Sequence, residues 1–161
     1  MTAAVGVALV IFDVDGVLTD GTLWYGPDGE SFKPFHVRDG LGIRMLIAAG
    51  IRVAVISGRR SAAVTERMRE LGVTDVAQGV GDKAHALKEL LARTGIESRD
   101  VACLVDDTPD LELMSAVGLA AAVADAHPDV LAAAAYVTHA RGGHGAAREF
   151  CDWLLATRRE P

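Results

Sequence analysis

Asp13-Val-Asp15-Gly-Val-Leu-Thr-Asp20 follows one apolar run, and Ser57-Gly58-Arg59-Arg60 follows a second. Gly81-Asp-Lys83 opens a helical pattern, while Asp106-Asp107 and Asp110 come after a further apolar run. Carboxylates gathered in one place repel one another, so they call for a hard divalent cation with oxygen ligands, above all Mg²⁺. A lysine ammonium and a serine hydroxyl facing that cation supply charge and donors for an oxyanion such as a phosphoryl group. Taken singly, each piece is ordinary. Asp-x-Asp arises by chance and also holds metal in nucleotide-sugar transferases. Ser-Gly is usually a turn, and paired aspartates ahead of a helix commonly cap it. Their shared place, each at the end of its own strand, is what an accidental origin must explain four times over.

The elements that would position them alternate regularly. Val7 to Phe12 is a continuous apolar run, as in a strand covered on both faces. Further strands are predicted at 52–56, within 73–78, and at 100–105, 119–123 and 136–137. Between them, Leu41, Met45 and Leu46 mark a helix over 39–49 stopped by Gly50. Other helices are predicted over 61–71, 83–94, from Pro109 to about 117, 127–134 and 146–156. Strand–helix alternation means an α/β fold: a Rossmann-like parallel sheet with helices on both faces, three layers in all. Ligands in such a sheet sit beyond the carboxyl ends of the strands, at the switch point. Residues 22–37 break the alternation. Trp24, Tyr25, Phe32 and Phe35 around Gly26-Pro-Asp-Gly29 predict a β-hairpin after the first strand.

The 161 residues suit a single domain, 1–161, ending in a tail and helix over 140–161. A net charge of −6 without a Lys/Arg run argues against nucleic acid as a partner. The stretch from Ala3 to Phe12 is too short to cross a bilayer and has no basic segment before it, so neither membrane nor export is expected. Cys103 and Cys151 form no metal-ligand spacing or disulfide framework, and a cytoplasmic location follows. Spacing excludes a lid. Asp13 and Ser57 are 44 positions apart, already filled by a hairpin and a helix. Ser57 to Lys83 is 26 positions and Lys83 to Asp106 is 23, room for one crossover each. Phosphoryl transfer benefits from excluding water, so a large substrate or another subunit must cover a capless site. Trp24 and Tyr25 would then be interface anchors, against the plainer alternative that they pack the hairpin.

These motifs resemble those of the haloacid dehalogenase-like phosphatases: Asp13-Val-Asp15-Gly-Val, Ile56-Ser57-Gly58, Lys83 and Asp106-Asp107. Four longer blocks resemble the subfamily acting on 3-deoxy-D-manno-octulosonate (KDO) 8-phosphate. They are Asp13 to Gly21, Phe35-His-Val-Arg-Asp-Gly40, Val123-Ala-Asp-Ala-His-Pro128 and Gly142-Gly-His-Gly-Ala-Ala-Arg-Glu149. Three positions depart from its pattern: Val105 replaces a usual glycine, His36 a usual asparagine and His144 a usual arginine.

The resemblance implies a Mg²⁺-dependent phosphatase of KDO and lipopolysaccharide biosynthesis, working as a homotetramer on a small sugar acid phosphate. Asp13 would be the nucleophile and Asp15 the acid and base. Mg²⁺ would be held by Asp13, the backbone carbonyl of Asp15, and Asp106. Ser57 and Lys83 would bind the phosphoryl group, with Asp107 and Asp110 as supports behind them. Gly58, Arg59 and Arg60 would add substrate contacts beside Ser57. His144 and Arg148, with the amides opening the last helix, would read the sugar carboxylate, from the same or a neighbouring subunit. His85 and His139 read as surface residues, His127 as a cap and Cys103 as core. Alternatives are a nine-carbon (sialic acid or KDN type) 9-phosphate phosphatase and a catalytically silent oligomerisation module. A phospho-acceptor receiver is a third, though it has no use for Asp15 as an acid.

Overall fold

The structure, a computed structural model, describes residues 6–158. The extreme ends of the predicted 1–161 domain and 140–161 tail, and the start of the Ala3–Phe12 run, lie outside the described residues.

β1 (Leu9–Phe12) is four apolar residues without solvent exposure on either face. A hairpin follows, β2 (Trp24–Gly26) and β3 (Gly29–Phe32), then α1 (Val37–Ala48), β4 (Arg52–Ser57) and α2 (Ala62–Leu71). The chain continues through β5 (Asp75–Gln78), α3 (Lys83–Thr94), β6 (Val101–Val105) and a 3₁₀ turn at Thr108–Asp110. It ends with α4 (Leu111–Ser115), β7 (Leu119–Ala122), α5 (Pro128–Ala133), β8 (Tyr136–Val137) and α6 (Ala146–Thr157). Six strands make one parallel sheet in the order β5-β4-β1-β6-β7-β8. α1 packs along α6 and touches α2, whereas α3 packs on α4 and α4 on α5, so helices flank the sheet in two groups. The predicted α/β architecture is therefore the one observed. The hairpin lies where the aromatic pattern placed it, as a separate antiparallel pair.

Register decides where the chemistry goes. Phe12 is level with Val55 on one side and Leu104 on the other. The Asp13 amide extends the ladder by donating to the Leu104 carbonyl at 3.2 Å. Asp13, Ser57 and Asp106 therefore leave three neighbouring strands at one level, where β1 divides the two halves of the sheet.

Two local expectations shift. α1 begins at Val37 because the His36 side chain caps it, Nδ1 accepting the Arg38 amide at 3.2 Å. Its buried face is Gly40, Gly42, Ile43 and Leu46, and Leu41 is half exposed. Gly42 lets Arg148 and Cys151 of α6 lie close, and Gly40 does the same for Arg67 and Leu71 of α2. After Asp107 the chain first makes its 3₁₀ turn with Pro109, and α4 stops at Ser115, short of the predicted 117.

Candidate active site

Asp13 is one residue beyond β1, with Oδ1 accepting its neighbour Val14's amide at 2.7 Å. Lys83 is the first residue of α3, a helix started by Asp82, whose side chain accepts the His85 amide. This cap directs Lys83 Nζ to within 3.1 Å of Asp13 Oδ2 and 2.5 Å of Asp110 Oδ1. Asp110 is fully buried on the turn after β6. Asp13, Asp106 and Asp110 each present a ligand atom, all within 4.8 Å of one another. At the end of β4, Ser57 is buried, with its Oγ 3.4 Å from the Arg59 amide. These residues line a cavity of about 360 Å³ together with Asp15, Gly58, Arg59 and Asp107, within the size range of small-molecule sites.

One ammonium does not balance this concentration of carboxylate. Burial, then the charges of Asp13, Asp110 and Asp107, push Asp106 up to about 8. Asp13 is raised to about 6, first by burial and then by Asp110, with Lys83 pulling the other way. Burial alone would lower the Lys83 pKa, but Asp13 and Asp110 outweigh it and hold the group above its ordinary value. Asp106 Oδ1 and Asp110 Oδ2 are buried without a hydrogen-bond partner. Clustered oxygen donors with raised pKa values and unsatisfied lone pairs fit a hard divalent cation such as Mg²⁺. Gly16 helps make the room. Its φ is +86°, and a Cβ there would fall 2.0 Å from Asp106 Oδ2.

Asp15 stands apart from the three carboxylates. Its side chain, on the cavity rim, forms an ion pair with Lys33, a residue the sequence did not single out. Lys33 also lies 3.4 Å from Glu30, which accepts from Ser61 Oγ at 2.6 Å and from Arg59 at 3.4 Å. Arg59 further donates to Tyr25 Oη at 2.9 Å. The only signal available beforehand was an opposite-charge pair three residues apart in a hairpin. That pattern normally belongs to a solvated surface.

Several predicted residues are placed elsewhere. Arg60 leaves the cavity, its guanidinium covering Gly79 and lining a separate recess with Gln78 and Thr65. The chain bends at Gly58 and Arg59 beyond β4, and the Arg60 side chain leaves toward Gly79 rather than Ser57. Asp107 is exposed and caps the turn, accepting the Thr108 amide at 2.7 Å. Asp110, not Asp107, supports Lys83. His144 and Arg148 line a second recess with Arg38, and Arg148 is ion-paired to Asp152 at 2.8 Å. They do not line the cavity that holds Asp13 and Lys83. The amides opening α6 do hold an anion, but it is internal: buried Asp39 accepts from Gly145 at 3.3 Å and Arg148 at 2.8 Å. No substrate carboxylate is needed there. The glycine-rich tail is fixed as well. Gly142 donates to Asp125 at 2.9 Å, Gly143 donates to the Val17 carbonyl at 2.9 Å, and a Cβ on Gly142 would meet the Gly16 carbonyl at 1.7 Å. The tail is thus braced against the loop that carries Asp13 and Asp15. Of the residues given plainer readings, His85 is exposed beside Glu89, His127 caps α5, and both cysteines are buried. His139 is exposed, against Glu149.

Comparison with known proteins agrees with this geometry. A haloacid dehalogenase-like hydrolase model matches residues 72–150. The 3-deoxy-D-manno-octulosonate 8-phosphate phosphatase KdsC of Salmonella typhi is 47% identical over 155 residues, covering 96% of this chain and 82% of that protein. The crystal structure of the corresponding phosphatase from Yersinia pestis superposes with a TM-score of 0.95 at 47% identity, covering 98% of this chain and 85% of that one. The phosphatase from Moraxella catarrhalis, solved with magnesium ion, phosphate ion and a KDO molecule, gives a TM-score of 0.95 at 39% identity, over 98% of this chain and 90% of the other.

Proposed function

The chain belongs to the 3-deoxy-D-manno-octulosonate 8-phosphate phosphatases of the haloacid dehalogenase-like hydrolases, and we propose that it hydrolyses that ester to KDO and phosphate with Mg²⁺. The observation that carries this is the meeting of Asp13, Asp106, Asp110 and Lys83 at one end of the sheet. It coincides with 47% identity to a KDO 8-phosphate phosphatase across nearly the whole chain.

In this reading an Asp13 carboxylate oxygen attacks phosphorus, and the bond from phosphorus to the sugar oxygen breaks. Asp15 gives its proton to the departing alkoxide. Water then attacks the phosphorus of the aspartyl-phosphate while Asp15 takes the water's proton. The bond from phosphorus to Asp13 breaks, phosphate leaves, and the carboxylate is restored. Lys83, fixed by Asp110, holds Asp13 in line and pairs with the phosphoryl oxygens, to which Ser57 donates from its hydroxyl. Asp13, the Asp15 carbonyl and Asp106 would hold Mg²⁺, with Asp110 beside them. When bound, the metal offsets the charge that gathers on the transferring phosphoryl group. Gly58 and Arg59 complete the cavity wall toward the substrate.

No helix among the described residues is long and apolar enough to cross a membrane. Two free buried thiols suit a reducing cytoplasm. The chain forms one domain with no inserted lid, and its cover is a homotetramer built on the hairpin face. Leu23, Trp24, Tyr25 and Phe32 are exposed there, and Val37 and Leu41 are exposed on the helix that follows. Trp24 stacks on Phe32 within the hairpin, which leaves their outer surfaces apolar. His144 and Arg148 then serve an adjacent subunit's sugar acid. Light scattering at micromolar concentration should give four times the chain mass, and a monomeric active sample would refute the assembly.

The function itself is tested by phosphate release from eight- and nine-carbon 3-deoxy-2-keto acid phosphates under saturating Mg²⁺. A higher kcat/KM for the eight-carbon substrate is expected. Preference for the nine-carbon ester would replace the assigned substrate, and release from neither would indicate a silent module.

A further inference from the structure

We propose that Lys33, carried on the segment leaving the hairpin, is a positioning residue that aims the Asp15 carboxyl at the leaving group; the inference rests on the phosphatase reading above. The Lys33 side chain is 2% exposed, and an ammonium at that depth needs anionic partners. It has two, Asp15 and, at 3.4 Å, Glu30. Among the described residues, Lys33 is the one side chain paired with the Asp15 carboxylate. Glu30 is anchored in turn by Ser61 at 2.6 Å and Arg59 at 3.4 Å, both just past Ser57. The Ser61 hydroxyl is the main reason its carboxyl is held below the usual range, with Lys33 and Arg59 adding to it.

Asp15 is thereby tied through two side chains to the loop that binds the phosphoryl group. It leaves the first strand on a loop of its own, and its carboxylate would otherwise be free to rotate at the rim, 21% exposed. Small errors in aiming an acid cost rate steeply. The chain has no inserted lid to constrain that rotation, and the hairpin supplies the constraint. Of the two partners of Lys33, Asp15 lines the cavity itself and Glu30 is bonded to Arg59, which also lines it.

An acid matters in proportion to the basicity of the leaving oxygen. A sugar alkoxide needs a proton, whereas p-nitrophenolate departs without one. Positioning and general structural roles therefore separate by substrate. The experiment measures kcat and KM of the full chain and of Lys33→Met, at saturating Mg²⁺, on a primary alkyl sugar acid phosphate and on p-nitrophenyl phosphate. With Lys33→Met, kcat/KM, which ends at leaving-group departure and so precedes the water step that Asp15 serves for both esters, should fall about 100-fold on the alkyl ester and less than about fivefold on the aryl ester. Lys33→Arg, which keeps the charge, should recover most of the alkyl rate. Equal losses on both esters, or no loss on the alkyl ester, would overturn the assignment. If the unsubstituted chain cleaves neither ester, the phosphatase reading fails instead. Should circular dichroism show that Lys33→Met does not fold, Glu30→Gln decides. It should give a loss of about tenfold confined to the alkyl ester, and a uniform loss would count against Lys33.

Discussion

The carboxyl edge of the sheet and the hairpin-and-tail side of the molecule solve the same problem by different means. At the edge, Asp13, Ser57 and Asp106 are placed by three adjacent buried strands in fixed register. The backbone ladder sets their relative positions before any side chain is chosen. On the other side, single carboxylates do the placing. Asp39 ties α1 to the start of α6, Glu149 accepts the amides of His139 and Ala140, and Glu30 joins the hairpin to Arg59 and Ser61. Substitutions in the two regions should therefore act differently. Changes at the edge should remove chemistry and spare the fold, and changes at the ties should cost stability or tune the substrate.

The largest expected effect is at the edge. Asp13→Asn should lower kcat by about 10⁴-fold or more, since a carboxamide cannot replace the carboxylate nucleophile. Its melting temperature without metal should not fall, because burial already opposes the Asp13 charge. An Asp13→Asn chain within tenfold of the parent rate would mean that the sheet edge does not carry the chemistry.

Metal comes next. Asp106 holds its proton to about pH 8 in the metal-free fold, against an ordinary 3.8. The folded chain thus binds more protons than the unfolded one between those values, and this contribution to stability is lost as pH rises through 8. Metal-free samples should melt lower at pH 8.5 than at pH 6.5, and Mg²⁺ should reduce that gap. The half-saturating Mg²⁺ concentration should fall over the same rise, because binding displaces protons. Chelation should abolish turnover. Full activity after exhaustive chelation, or Mg²⁺ affinity independent of pH, would contradict the three-carboxylate site.

The ties should behave oppositely. Asp39→Ala leaves two amides at the start of α6 without their acceptor and should cost about 1–3 kcal/mol in urea unfolding. Turnover by the protein that stays folded should change little. An Asp39→Ala chain as stable as the parent would mean that α6 is held by packing alone.

How much could be read in advance follows the same division. The strands around Asp13 and Asp106 are near-continuous apolar runs, and the polar residues ending them stand out. Lys83 through Thr94 appears with the predicted bounds because Asp82 and Gly95 mark its ends. Lys33 was illegible, since nothing local tells a buried lysine from a surface one when its partner is 18 positions away. Asp39 was hidden for the same reason, its amides lying 106 and 109 positions further on. Arg60 was overread through its neighbours. Adjacency in sequence places it with Ser57, but the bend after β4 turns it toward Gly79.

The smallest effect is expected in the tail. His144→Ala should raise KM for the sugar acid phosphate a few-fold and leave that for p-nitrophenyl phosphate unchanged. In the proposed tetramer this would be a single contact from an adjacent subunit, worth about 1 kcal/mol. Equal KM changes on both substrates would mean that the tail only braces the Asp13 loop.

In the proposed reaction every step depends on Asp13 as the nucleophile. The direct measurement is acid quenching during turnover of KDO 8-phosphate with Mg²⁺, followed by peptide mass spectrometry. A phosphoryl group on the peptide containing Asp13, absent in the Asp13→Asn chain, is the predicted result. Phosphate released by the parent chain with the phosphoryl group trapped on a different residue would contradict it.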